Sequence, residues 1–410
     1  MIYIQIAAYR DPELVPTIQD CLRKAKYPHD LRFGICWQRG EEEHDLDSFR
    51  GQRQFTIDEI PWHASQGLCW ARARLQGLYE GEQYTLQLDS HHRFAQDWDA
   101  QLMEMMEQTG SAKPILTSYA GIYHPGADHI RAPDPYQMVA DRFTPSGTIL
   151  FRPSSMPHWR DLSKPVRARF VSGHYFFTLG EHCQEYRYDP GLYFAGDEIS
   201  LSIRSFTLGY DLFHPHRTLV WHEYTREGRV KHWTDHNTGN KPLVGMAWHE
   251  RNTISLRRLR KMLREEDNEE DIAGFGLGDA RSHQDYELYA GIDFAGRRLH
   301  REAVAGQEPP CTWTDENTWE ESFTHHYQMQ LKWKVDDLEE CDDCQFVYIG
   351  IEDPCGNVLY RYDAPADSPE ARRLTSERKV EFQAAGKPAK LVVWPVSRSR
   401  SWLKRVDYAL

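Results

Sequence analysis

Long apolar runs are missing from this chain: nowhere in its 410 residues is there a stretch approaching the roughly 20 consecutive apolar residues that a bilayer-spanning helix needs. Its opening, Met1-Ile2-Tyr3-Ile4-Gln5-Ile6, runs straight into a strand-like pattern, without a basic leader region or cleavage site, so a cytoplasmic protein without a membrane partner is expected. Cysteine is scarce at eight residues, which excludes a disulfide framework. Cys21, Cys36, Cys69 and Cys183 lie scattered in apolar or helical contexts and read as buried thiols. Positive charge is short as well. Against 62 acidic residues stand 49 Lys and Arg, a net charge of -13, which argues against a nucleic-acid backbone as the main partner. No Gly-x-Gly-x-x-Gly follows the first strand and no Gly-x-x-x-x-Gly-Lys occurs, so dinucleotide and P-loop folds are unsupported. Gly274-x-Gly276-x-Gly278 follows the charged segment 264–271 rather than a strand and reads as a linker turn.

What is present is an alternation of strands and helices. Residues 2–9 read as a strand, and Asp11-Pro12-Glu13 gives a helix N-cap followed by Pro at the first helical position, with Leu14, Ile18, Cys21 and Leu22 as an apolar stripe. Further strands are expected over 31–37 and 54–60, a helix over 66–80, and a strand over 82–88 that stops at Asp89. This β-α-β order predicts an α/β fold with a mostly parallel sheet, in which ligands gather at the carboxyl ends of strands. The length suggests two or three domains.

Asp89-Ser90-His91 stands at such an end. A carboxylate and an imidazole two residues apart can hold a divalent ion against a diphosphate, and a hard oxygen with a borderline nitrogen suits Mn²⁺ or a similar ion. The triplet alone is equally compatible with a chance loop sequence. Tyr9, Arg10 and Asp11 occupy the end of the first strand; there an aromatic ring can stack on a base and a carboxylate can accept from base or ribose donors, while Asp11 also serves as a helix cap.

Several motifs in one order carry a family resemblance over about residues 2–299. They are Ile6-Ala7-Ala8-Tyr9-Arg10-Asp11-Pro12-Glu13-Leu14, Phe33-Gly34-Ile35-Cys36-Trp37-Gln38, Gly67-Leu68-Cys69-Trp70-Ala71-Arg72, the Asp89 run, Phe194-Ala195-Gly196-Asp197-Glu198-Ile199-Ser200-Leu201-Ser202-Ile203-Arg204, and Gly291-Ile292-Asp293-Phe294. The chain resembles glycosyltransferase family 60, which includes cytoplasmic protein-hydroxyproline N-acetylglucosaminyltransferases. It is similar in motif order to the mucin-type polypeptide N-acetylgalactosaminyltransferases. The resemblance implies a GT-A fold over residues 1–299, a UDP-sugar donor carrying GlcNAc, retention of anomeric configuration, and Mn²⁺ or alternatively Mg²⁺ as the ion.

The same resemblance implies site residues. Asp89 and His91 match two metal ligands, and His222 in Val220-Trp221-His222-Glu223-Tyr224-Thr225-Arg226 is the candidate third. His92 is expected to point the other way, since neighbours on an extended segment face opposite sides; His232 and His236, four apart, read as a loop feature. Arg72 matches the arginine after Gly-Leu, its fork suited to diphosphate oxygens or a carboxylate. Asp197 is assigned to sugar binding and Glu198 to sugar binding or acceptor orientation, against the plain reading that acidic residues favour a helix first turn. Tyr9, Arg10, Asp11, Arg72 and Asp89 thus form the expected donor site, with Asp197 and Glu198 at the reaction centre. The acceptor stays open between a protein, a glycan and a small molecule. A module that only binds sugar or protein is a third reading, against which the intact Asp89, His91, Arg72 and Glu198 count.

Residues 252–266 pattern as an amphipathic helix with Ile254, Leu256, Leu259 and Leu263 inward and a basic outer face, expected to be solvated. From Thr312 the texture changes to alternation. Strands are expected over 327–335, 346–351, 358–362, 379–382 and 390–396, with Asp353-Pro354-Cys355-Gly356-Asn357 as a hairpin turn, giving a β-sandwich-like accessory domain over 312–410. Cys341-x-x-Cys344, with Cys311 and Cys355, reads either as a structural zinc site or as ordinary reduced thiols. Trp313, Trp319 and Trp333 serve either the core or an acceptor surface.

Overall fold

The computed structural model describes residues 1–41, 46–127, 131, 133–144, 146–225, 229–312, 315–372 and 374–410. The chain divides into two compact units, Met1–Gly296 with Glu302–Cys311, and Arg297–Arg301 with Thr312–Leu410.

In the first unit, β1 (Ile2–Tyr9), α1 (Leu14–Lys24), β2 (Leu31–Arg39), β3 (Phe55–Pro61), α2 (Leu68–Gln76) and β4 (Tyr84–Asp89) follow one another as the sequence pattern predicts. There follow β5 (His92–Phe94), α3 (Trp98–Gln108), β6 (Pro114–Thr117), β7 (Gly121–Ile122), β8 (Tyr136–Phe143), β9 (Ile149–Ser155), β10 (Val166–Arg167), β11 (Tyr175–Leu179), β12 (Asp211–His214) and β13 (Val220–His222). An eight-stranded sheet has the order β10-β12-β6-β11-β4-β1-β2-β3. β1, β2, β3 and β4 pair in parallel, as do β6 and β12, whereas β11 runs antiparallel between β4 and β6 and β10 antiparallel to β12. The α/β, mostly parallel architecture is therefore present.

Both faces of the central strands are covered. Ile2, Ile4, Ile6 and Ala8 of β1 pack with Phe33, Ile35, Leu86 and Leu88 and with Leu14, Ile18 and Cys21 of α1. On the opposite face Cys36 packs with Ala71 and Leu75 of α2, and Tyr3 donates to the Leu75 carbonyl at 2.5 Å. Double burial is what near-continuous apolar runs in parallel strands provide. β1 is flanked by β2 on one side and β4 on the other, so the strand order reverses between β1 and β4, and a crevice opens at their carboxyl ends.

Two local expectations are corrected. The first helix begins at Leu14 with Glu13 as its N-cap, because Asp11 stays outside it and accepts from the Glu13 backbone N–H at 2.9 Å. The basic helix runs over Trp248–Met262, and its outer cations are paired rather than simply solvated. Arg258 binds Asp189 at 2.8 Å, Arg257 and Arg260 approach Glu270 and Glu266 at 3.5 Å, and Lys261 donates to the Glu270 carbonyl at 2.8 Å. Asp189, and Glu266 and Glu270 just beyond the helix, meet these cations.

The second unit is built from antiparallel strands. Phe323–Lys332 pairs with Glu377–Ala384, and Cys344–Glu352 pairs with Val358–Pro365 and Lys390–Ser397. Leu331 and Val380 from the first pair share a core with Ile349, Ile351, Leu391 and Val393 from the larger sheet. Trp333 is buried in this core, Trp319 packs against Phe323 with ring centroids 5.1 Å apart, and Trp313 lies outside the described residues. Among the described residues Cys341, Cys344 and Cys355 join no cluster of three metal-ligating groups. No helix among them is long and apolar enough to cross a membrane.

Candidate active site

β4 ends at Asp89, the chain turns through Ser90 and His91, and β5 then pairs antiparallel with β13 so that His222 stands opposite His92. That register brings the third expected ligand, His222, back to the first two, Asp89 and His91. Ligand atoms of Asp89, His91 and His222 all lie within 4.8 Å of one another. His91 Nε2 is 3.7 Å and His222 Nε2 3.6 Å from Asp89 Oδ2. Both rings are buried, yet neither His91 Nε2 nor either nitrogen of His222 has a hydrogen-bond partner. Burial, reinforced by the neighbouring His174, pushes His222 well below the usual histidine range, so it is a neutral imidazole near pH 7. Burial would raise the Asp89 carboxyl, but the adjacent His222 and His91 rings and the Arg72 guanidinium outweigh it and hold the group well below its usual value. A carboxylate with two imidazoles whose Nε2 atoms lack hydrogen-bond partners fits a divalent first-row ion. His92 contributes no ligand atom to this group; its ring packs edge-on against His222 with centroids 4.8 Å apart, and its Nδ1 is 3.0 Å from the Asp89 carbonyl oxygen.

Tyr9, Arg10 and Asp11 leave the end of β1 beside the same cluster. The Tyr9 hydroxyl and an Arg10 guanidinium N–H both donate to Asp235 Oδ2 at 2.8 Å. Tyr9 meets His232 and His236 edge-on, with centroids 5.9 and 6.1 Å away. Ala7, Tyr9, Asp11, Leu68, Phe194 and His232 line a recess that also contains Asp89 and His91. Asp11 is spent within the protein: Oδ2 accepts from Ser90 Oγ and lies against His91 Nδ1, both at 2.7 Å, and accepts from Arg229 at 3.0 Å.

Arg72 is 1 % exposed. Its guanidinium pairs with Asp197, lies 3.2 Å from Asp89 Oδ1 and donates to the Gly173 carbonyl at 2.5 Å. Of its two expected partners, diphosphate or carboxylate, it has carboxylates. Asp197, the first residue of the helix Asp197–Thr207, also accepts from Cys69 Sγ at 3.3 Å. Gly196 precedes it at φ 89°, where a side chain would be strained.

Glu198 is held differently. Its Oε1 accepts from the Gly173 backbone N–H at 3.0 Å and its Oε2 from the Tyr119 hydroxyl at 2.9 Å. Burial pushes its carboxyl up to about 7, against the opposing effect of those two hydrogen bonds. Glu198, Tyr119, Gly173, Asp89 and Tyr224 line a second cleft whose other wall carries Leu150 and Phe151 of β9.

Tyr119, Gly173, His174 and Arg229 escaped sequence reasoning. His174 sits 4.4 Å from the His222 ring, with its Nδ1 2.9 Å from Ser172 Oγ, and Ala120 N–H donates to its Nε2 at 3.2 Å. The one available signal was the Gly173-His174 pair heading the apolar run Tyr175-Phe176-Phe177, and it becomes meaningful only once β11 is known to lie against β4.

A family model described as "Glycosyltransferase (GlcNAc)" matches the chain over residues 1–51 and 44–296. No curated relative matches it by sequence. Among solved structures it is similar to GalNAc-T7 with UDP, GalNAc and Mn²⁺, at 11 % identity and a TM-score of 0.47, covering 98 % of this chain and 68 % of that one. It is also similar to residues 1–349 of S. aureus TarS, at 9 % identity and a TM-score of 0.39, covering 67 % of this chain and 68 % of that one.

Proposed function

The chain belongs to the glycosyltransferase (GlcNAc) family, and on that premise we propose that it moves N-acetylglucosamine from UDP-GlcNAc to a protein hydroxyl, with a divalent ion and with retention, in the manner of glycosyltransferase family 60. The observation that carries the reading is the gathering of Asp89, His91 and His222 at the carboxyl end of β4, with partnerless imidazole nitrogens facing one carboxylate oxygen.

These three residues would hold Mn²⁺ or Mg²⁺. When bound there, such an ion supplies charge neutralisation to a diphosphate leaving group. Tyr9 and the recess around Leu68, Phe194 and His232 take the uracil and ribose. Arg72 bridges Asp197 and Asp89, and its pairing leaves Asp197 as a fixed acceptor for sugar hydroxyls rather than a nucleophile. Glu198, aimed by Tyr119 and the Gly173 N–H, accepts from a donor or acceptor hydroxyl in the adjoining cleft. As the family resemblance implies, retention proceeds by front-face attack of the acceptor oxygen rather than through an enzyme nucleophile. Leu150 and Phe151 give that cleft an apolar wall, which favours a peptide acceptor. The test is UDP release from UDP-GlcNAc in the presence of metal and of cytosolic proteins, with mass spectrometry of the proteins. N-acetylhexosamine on a side-chain oxygen is expected, and release without any protein product would remove the protein-acceptor reading.

A further inference from the structure

His91 reaches its place through its second nitrogen. Nδ1 lies 2.7 Å from Asp11 Oδ2. Facing an ionised carboxylate, that nitrogen carries the proton, and the lone pair is left on Nε2, the atom 3.7 Å from Asp89 Oδ2. Asp11 is itself held from several directions. Ser90 Oγ donates to Oδ2 at 2.7 Å and Arg229 at 3.0 Å, while the Glu13 backbone N–H donates to Oδ1 at 2.9 Å.

The chain of contacts closes on the third ligand. Arg229 pairs with the Glu223 carboxylate and donates to the Glu223 carbonyl at 3.2 Å. The Glu223 backbone N–H in turn donates to the His91 carbonyl at 3.2 Å, one residue beyond His222. Arg229 and Asp11 are both buried, with side-chain exposures of 8 % and 4 %.

We propose that Asp11 is a positioning residue of the metal site, acting through Nδ1 of His91 to fix the tautomer and ring orientation that present Nε2 as a ligand, with Arg229 as its counter-charge. The inference rests on the metal reading given above. A carboxylate behind a ligating imidazole raises its basicity and orients it, and loss of such a partner typically lowers metal affinity about 10–100-fold. The turn ahead of the helix needs only Oδ1, which accepts from the Glu13 N–H. With Oδ2 already taking donors from three groups, the ion rather than the uridine is what Asp11 serves.

Asp11→Asn separates these roles. Asparagine Oδ1 keeps the Glu13 N–H, but its amide sets a donor against His91 Nδ1 and drives the ring toward the tautomer whose proton blocks Nε2. Mn²⁺ titrations of the full-length protein with UDP present, read by the electron paramagnetic resonance of free Mn²⁺, should show Asp11→Asn binding roughly 10–100-fold more weakly than wild type and Asp89→Ala not binding. A wild type that binds Mn²⁺ with Asp11→Asn within twofold of it overturns the inference and leaves the metal reading standing. A wild type that binds no Mn²⁺ removes both. A second measurement needs no variant of Asp11: ¹⁵N imidazole shifts of metal-free wild type at pH 8, with His91 assigned by its loss in His91→Gln, should report a proton on Nδ1. A proton on Nε2 would overturn the proposal whatever the stability of Asp11→Asn.

Discussion

Arg72 and Asp197 form an ion pair buried beneath the cleft, with the same guanidinium reaching Asp89 Oδ1 at 3.2 Å. One cation therefore serves a carboxylate from the metal cluster and another from the helix start. Removing it leaves two acids facing each other without compensation. Arg72→Met should lower folding stability by about 3–5 kcal/mol, the range for breaking a buried pair from one side. Urea denaturation of the metal-free protein measures this. A loss below about 1 kcal/mol, the level of exposed pairs, would contradict the burial argument.

Glu198 gives a pH dependence of defined sign. Burial raises its carboxyl from 4.5 to about 7, so the folded protein retains a proton that the unfolded chain has released. Stability tied to that proton is present below pH 4.5 and is lost as pH rises through 7. Glu198→Gln escapes this loss, and its melting temperature should climb relative to wild type between pH 5 and pH 8. A constant difference across that range would show that the carboxyl titrates normally. Catalytically, rate should rise with pH through the same interval if the ionised group is the acceptor. Tyr119→Phe, which withdraws a donor from the carboxylate, should move the midpoint upward.

His222 and His232 offer a controlled comparison, since only the first contributes a ligand atom to the Asp89 cluster. His222→Ala should raise the Mn²⁺ concentration needed for half-maximal donor turnover, whereas His232→Ala should leave it unchanged. Equal shifts in the two variants would point to general damage of the segments that carry them.

Gly173 is placed too tightly for any side chain. A Cβ there would stand 2.7 Å from Asp197 Oδ2 and 3.1 Å from the Arg72 guanidinium, and the residue's N–H orients Glu198. Gly173→Ala should therefore cut turnover about tenfold or more, as small displacements at a reacting centre do. Unchanged kcat would mean that the Arg72–Asp197 pair relaxes without consequence.

The parts of this site visible in the sequence are those written in consecutive residues. Asp89 and His91 announce themselves as a short motif at a strand end, and Asp197-Glu198 as acids opening a helix; the family register supplied His222. Tyr9, Arg10 and Asp11 lie where the end of the first strand was expected. What their side chains do depends on Asp235 and Arg229, more than 200 residues away, and no local pattern encodes such a partner. Tyr119, Gly173 and His174 were hidden because β11 enters the sheet antiparallel between β4 and β6, an insertion that strand-helix alternation does not predict. The basic face of the helix Trp248–Met262 was misjudged for a related reason: its periodicity shows which side is polar, not that Asp189 and Glu270 meet it.

The central claim is that Asp89, His91 and His222 hold the ion on which sugar transfer depends. The most direct measurement is UDP release from UDP-GlcNAc by wild type and Asp89→Ala, each with Mn²⁺ and with excess EDTA. The account predicts that EDTA silences wild type, that Mn²⁺ restores it, and that Asp89→Ala stays about 10²–10³-fold slower at any Mn²⁺ concentration while keeping a wild-type circular dichroism spectrum. Full wild-type turnover in EDTA, or an Asp89→Ala variant as active as wild type, would contradict it.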